Sequence, residues 1–481
     1  MRRAAVGVLA LALVTGLAGC GNSGPKIPIG APAGSTITPV STGDTFGDLR
    51  TAAGHMPAEA LTLATGIAKG ATLKGDPGSN SAELRARLTA LLTEHVYLTG
   101  AVVATLYHFG DATIPVQNAG NALDANATDL AAVIGTVSPS KQSAFLDAWR
   151  AHDADLAAYA KGAKANDDTA KHTASNNLLD YAKNAGQFFS DLTGGTLSAS
   201  GVQADLVTHI SSLTVAIDAM AAGTPDVFTK LKTAADHMAD SAQLIASGIA
   251  RSANVSGDSG SAPAKLRADL TGLLTSHVYL TGLAVFTGYS AGGGTESSAF
   301  SNATDTLDTN SQDLATVLGA AAGKEKQDAF LQLWRSHVDD FVAYAKADAG
   351  NDTKGRNTAL SNLDAYLGSA GKFFADLSGG ALNANDVATA LKDHVATLAG
   401  AIDSLKTGVL NVPVVIPTST PTDLAGLGGA TSSPSPSSSA SASATYAPSL
   451  STPASATPSA SASATGSPSV KPSASITGHS H

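Results

Sequence analysis

The 481-residue chain carries 29 Lys and Arg against 39 Asp and Glu, a net charge of −10, with 43% hydrophobic and 14% charged residues. No long apolar run follows the first twenty residues, which speaks against a polytopic membrane protein, and no dense basic stretch supplies the electrostatic footprint of a nucleic-acid binder. The length leaves room for two or three domains, and 48 Gly with only 5% aromatics point to helices packed through small side chains.

Arg2 and Arg3, an apolar run over 4–14 and small residues up to Cys20 follow the order of a secretory signal. The run is too short to span a bilayer as a mature helix. Leu17-Ala18-Gly19-Cys20 resembles the bacterial lipobox. That resemblance implies that 1–19 are removed, that Cys20 is acylated with diacylglycerol, and that the membrane partner is the outer face of the cytoplasmic membrane. Cys20 is the single cysteine, so an anchoring role leaves no disulfide within the chain and no Cys-based metal site. Residues 20–43, rich in Gly, Pro, Ser and Thr, read as a tether.

From 45 onward the apolar residues recur at three- and four-residue steps, and the expected fold is all-α. The predicted helices are 45–69, 82–108, 117–135, 139–163, 168–192 and 198–221, then 225–251, 262–289, 297–320, 323–347, 352–377 and 383–407. Ser138-Pro139 and Ser198 precede helical runs, and Gly194-Gly195 follow one, as caps do. From 412 to 481 Pro, Ser, Ala and Thr dominate, a composition that cannot offset its chain entropy by burial, so this segment is expected to be a disordered tail directed towards the cell wall. His479 and His481 at its end read as incidental.

The sequence repeats. Phe46, Leu49, His55 and Met56 align with Phe228, Leu231, His237 and Met238 at an offset of 182, and the run from Leu84 through His95 to Gly100 aligns with Leu266 through His277 to Gly282. The offset later becomes 185, pairing Trp149 and His152 with Trp334 and His337, and Phe188-Phe189 with Phe373-Phe374. Two tandem helical bundles follow, a first repeat over 44–251 and a second over 262–407. Their phase stays open. Only the short stretch Ala222-Gly-Thr-Pro225 joins the helix ending at 221 to the His-Met helix at 225–251, whereas long flexible stretches follow both His-Met helices. The helix at 225–251 can therefore close the first bundle, leaving 45–69 to complete the second.

Eight of the 12 His form repeat-related pairs: His55 with His237, His95 with His277, His152 with His337, and His209 with His394. His95, His152 and His209 share the apolar stripe of their helices, where an imidazole is costly without a partner. One reading is a metal site in each bundle, built by helices that each donate an inward His. The first uses His95, His152 and His209, with His237 and Met238 if the phase argument holds, and the second uses His277, His337 and His394, with His55 and Met56. His with Met favours Cu(I), while zinc with His and Asp is the alternative, and Asp155 and Asp340 are candidate carboxylates behind His152 and His337. The other reading is structural core His bonded to neighbours such as Tyr97, Tyr159 and Tyr181. In that case the protein is a structural or partner-binding surface protein.

The units Glu94-His95-Val96-Tyr97-Leu98, Leu333-Trp334-Arg335-Ser336-His337, Asp393-His394-Val395 and Asp236-His237-Met238 resemble a family of secreted bacterial helical proteins, some of them labelled by association with a copper amine oxidase N-terminal domain. The resemblance covers about 80–407 and implies helices and a link to copper, though Ser276 replaces Glu94 in the second repeat. It does not imply an amine oxidase. Nucleotide and hydrolase signatures are absent, and no enzyme activity is expected.

Overall fold

The computed structural model describes residues 37–410 apart from 112, 292 and 293. The expectations for the signal, Cys20, most of the tether and the tail lie outside the described residues. Among the described residues there are thirteen α-helices and no strand. The first half holds α1 (Thr45–Gly54), α2 (Met56–Gly70), α3 (Asn80–Phe109), α4 (Ile114–Val137), α5 (Gln142–Ala165), α6 (Asp168–Leu192), α7 (Ala199–Ala222) and α8 (Val227–Ser252). The second holds α9 (Ala262–Ser290), α10 (Ser298–Ala322), α11 (Lys324–Ala349), α12 (Thr353–Leu377) and α13 (Ala384–Leu405).

The one helix that differs in kind from its expectation is the first. The predicted helix at 45–69 is split into α1 and α2 at His55, because Pro57 has no N–H to donate back to the preceding turn and its ring crowds it. The repeat-related α8 has Ala239 at that place and runs unbroken. Caps behave as side-chain chemistry dictates: Asp44, Asp167, Ser198, Ser297 and Asp352 each accept from a backbone N–H in the first turn of the following helix. Ser138 makes no such bond, and a short 3-10 turn over Pro139–Lys141 leads into α5 instead.

α3 and α9 are the hearts of the two halves and pack against each other. Both are long and apolar enough to cross a membrane, yet most of each lies inside the fold. A helix enclosed by others on all sides needs no polar face, and this is why its apolar residues exceed one stripe. α4 packs on α3 as α10 packs on α9, and the sequential pairs α5 with α6, α6 with α7, α11 with α12, and α12 with α13 are antiparallel neighbours. α8 packs on α3 and α7, whereas α1 and α2 pack on α13 and α9. α8 therefore closes the first half, while α1 and α2 cross over to complete the second, so 44–251 is not a unit of packing.

The contacts between the halves are reciprocal. Tyr97 stacks on Tyr279 with ring centroids 5.8 Å apart and planes 7° apart. Arg85 donates to the carbonyl of Ser259, and its counterpart Arg267 donates to the carbonyl of Pro77. The two bundles are also closed in equivalent ways: Leu231 of α8 fills the space over Gly100 of α3 as Leu49 of α1 fills that over Gly282 of α9, so a methyl group at either glycine would collide with leucine. Such exchange of equivalent partners is the mark of a twofold relation between the repeats.

Candidate metal centres

Within the first half, α3 brings His95, α5 brings His152 and α7 brings His209 to one point in the core. The three are almost wholly buried. One ring nitrogen of each lies within 4.8 Å of those of the other two, and ring centroids are 5.5, 5.6 and 5.9 Å apart. In the second half α9, α11 and α13 repeat this with His277, His337 and His394, whose centroids lie 5.2 Å and 5.8 Å from that of His277. A tetrahedral ion with Zn–N near 2.0–2.1 Å would hold its nitrogens roughly 3.3 Å apart, so small side-chain rotations would close either triad around one ion.

Aromatic walls hold the rings. Trp149 meets His95 edge-on at 5.0 Å and Tyr181 stacks on His152 at 4.5 Å. Trp334 and Tyr366 do the same to His277 and His337 at 5.0 and 4.7 Å. Eleven of the twelve ring nitrogens in the two triads make no hydrogen bond with the described residues; the exception is His337 Nδ1, which faces the carbonyl of Trp334. Buried polar atoms are paired in the great majority of cases, and each left unpaired costs on the order of 1–3 kcal/mol. Burial holds all six imidazoles below their ordinary value, His209 and His337 down to about 3 and His394 to about 4. They are therefore neutral at physiological pH, the form that ligates metals.

The other residues singled out by the sequence stand outside these triads. His237 is partly exposed, with Nε2 3.4 Å from Asp205 Oδ1, and it lies close enough to His209 to disfavour its protonation. His55 sits at the joint between α1 and α2 and acts in the same way on His394. Met56 and Met238 are buried within the hydrophobic core. Asp155 and Asp340 are half-buried and accept from Asn177 and Asn362, tying α5 to α6 and α11 to α12. Neither belongs to a triad.

Sequence reasoning missed Asp153. It is buried, and its Oδ1 lies 3.5 Å from His95 Nδ1. The available signal was its register: 153 falls four residues after Trp149 and three before Leu156, on the inward face of α5. Asp155, three residues after His152, had looked better placed to reach that same imidazole, but the carboxylate beside the triad is Asp153, next to His95 of another helix. No protein-family model matches the chain, and neither a curated protein nor a solved structure shows a significant match.

Proposed function

We propose that this is a lipid-anchored extracytoplasmic protein whose helical body binds or buffers a transition metal, copper or zinc, at two buried three-His centres. The observation that carries this reading is the pair of triads: six neutral imidazoles, converging three by three, with nearly all their nitrogens lacking hydrogen bonds. Ligation would satisfy one nitrogen per ring in a donor set suited to zinc, copper, iron or nickel. The resemblance of the His-bearing units to a copper-associated family points the same way, and the lipobox ending in Cys20 supports the location.

A second reading has an observation in its favour: the stacking of Tyr181 on His152 and of Tyr366 on His337 also suits rings used purely as packing. The mature protein distinguishes the two. Purified without an affinity tag and reconstituted with copper or zinc, it should hold close to two ions per chain. Replacing His152 and His337 together with Asn should abolish tight binding while helix content persists. Unchanged stoichiometry would remove these residues from any site, and absence of bound metal in the wild type would leave the packing reading. Cys20→Ala should release the protein from membranes or block its maturation; normal processing and membrane retention would refute the anchor.

A further inference from the structure

The two triads repeat in each His and in their aromatic walls, but not in every neighbour. At the place of Asp153, whose carboxylate lies beside His95, the second half has Val338, so that position offers His277 no carboxylate. Beside His152, the one triad residue that lines it, a mainly apolar cleft of about 440 Å³ opens between α5 and α6, with Asp155, Asn177, Asp180 and Asn184 as its polar side chains. The matching positions of Asp180 and Asn184 are Ala365 and Ser369, and Ala148 of the cleft is matched by Leu333. Asp155 and Asn177 recur as Asp340 and Asn362 with the same hydrogen bond, so the difference along this cleft is confined to Asp180, Asn184 and Ala148.

Building on the metal-binding reading, we infer that the triads are unequal centres: the first takes a divalent ion of the zinc class with Asp153 positioning His95, and the second takes monovalent copper. Three neutral imidazoles leave the whole ionic charge inside a buried site. Burial holds the Asp153 carboxyl well above its ordinary value in the metal-free chain; a divalent ion that displaces its proton leaves one unit of positive charge there, and Cu(I) beside Val338 leaves the same. A divalent ion in the second centre would leave two, a far greater burial penalty. The carboxylate also does directional work. Accepting a hydrogen bond from His95 Nδ1–H would fix the tautomer that turns the Nε2 lone pair towards the ion and raise its basicity. Asp153 is therefore a positioning residue.

The test uses the metal-free mature chain, titrated with zinc against a competing chelator and, under anaerobic conditions, with Cu(I) against a Cu(I)-selective one. The wild type should hold one zinc tightly and a second at least about tenfold more weakly. Asp153→Asn, nearly isosteric, should weaken the tight zinc site roughly 10- to 100-fold with helix content unchanged, while the Cu(I) capacity of the second centre persists. Val338→Asp should strengthen the second zinc at least about tenfold; if that variant does not fold, the Asp153→Asn comparison decides alone. Two zinc ions of equal affinity in the wild type, or zinc affinity untouched by Asp153→Asn, would overturn the inequality while leaving two metal centres standing. Retention of neither metal by the wild type would instead sink the metal-binding reading beneath it.

Discussion

A buried imidazole is a poor choice for a core unless something recovers the solvation it gives up, and six of them in two clusters set the pH behaviour of this protein. His209 has its folded-state value pushed down to about 3 by burial, with the charge of His237 adding to the effect. In the unfolded chain the same ring titrates near 6.5. Between those values the unfolded state binds the extra proton, so stability falls as pH drops from about 6.5 towards 3, by up to about 1.4 kcal/mol per pH unit for one such ring. Glu59 works in the opposite sense: burial, and then the charge of Asp393, raise it to about 7, so its contribution is lost as pH rises from its unfolded value to that point. The two effects separate in a difference measurement. Urea denaturation of metal-free His209→Asn and wild type at several pH values from 7 to 4 should show a shallower acid loss for the variant; parallel curves would mean that His209 does not stay neutral in the fold. Residues of this kind were legible in the sequence because they sit on apolar stripes in both repeats. Asp153 was not, since it has no counterpart in the second repeat, and duplication had been the guide to which polar residues to trust.

At the scale of the element, helix existence followed from period and caps, and the misreading came where one residue outweighs a pattern. The apolar positions of 45–69 continue without interruption across Pro57, so a periodicity argument sees one helix, while the missing N–H makes two. What periodicity also hides is how closely two helices approach. Gly186 of α6 lies against the first turn of α7, where an added methyl would come 2.4 Å from the carbonyl oxygen of Ala199; Gly371 and the carbonyl of Ala384 repeat the contact at 2.2 Å. A backbone oxygen at a helix start cannot swing aside as a side-chain tip can. This approach sets the seat of α7, and α7 carries His209. Gly186→Ala should therefore destabilise the protein by about 1 to 3 kcal/mol through forced separation of α6 and α7. Thermal melting of that variant beside Gly368→Ala, where an added methyl meets nothing within 4 Å, checks the cause. Equal melting temperatures would show that the contact relaxes without cost.

For the whole molecule, the tandem repeat was plain from aligned residues, and the crossing of α1 and α2 to the second half was hinted at only by connection lengths. Local sequence does not encode which of two equivalent grooves a helix enters; that depends on the twofold relation of α3 and α9, which appears only when the halves meet. The relation makes a prediction about half of the chain. A fragment over 71–257 contains α3 to α8 with the complete first triad, but it leaves bare the face of α3 that packs on α9. In the intact chain that face is met by elements equivalent to its own. Arg50 of α1 ion-pairs with Glu94 and Asp129, and its repeat counterpart Lys232 of α8 pairs with Asp236 and Asp313. In a pair of fragments, Lys232 of each would reach Glu94 and Asp129 of the other, Tyr97 would stack on its copy, and Arg85 would find the other copy's Pro77 carbonyl. Each of these contacts of the α3–α9 junction has a stand-in, so the fragment should associate as a symmetric dimer with two equivalent His triads. Sedimentation at micromolar concentration should give twice the fragment's mass, and Tyr97→Asp, which places a charge at the centre of the junction, should return it to a monomer or unfold it. A well-folded wild-type fragment that sediments as a monomer would show that the repeats do not share the self-complementary surface their reciprocal contacts describe.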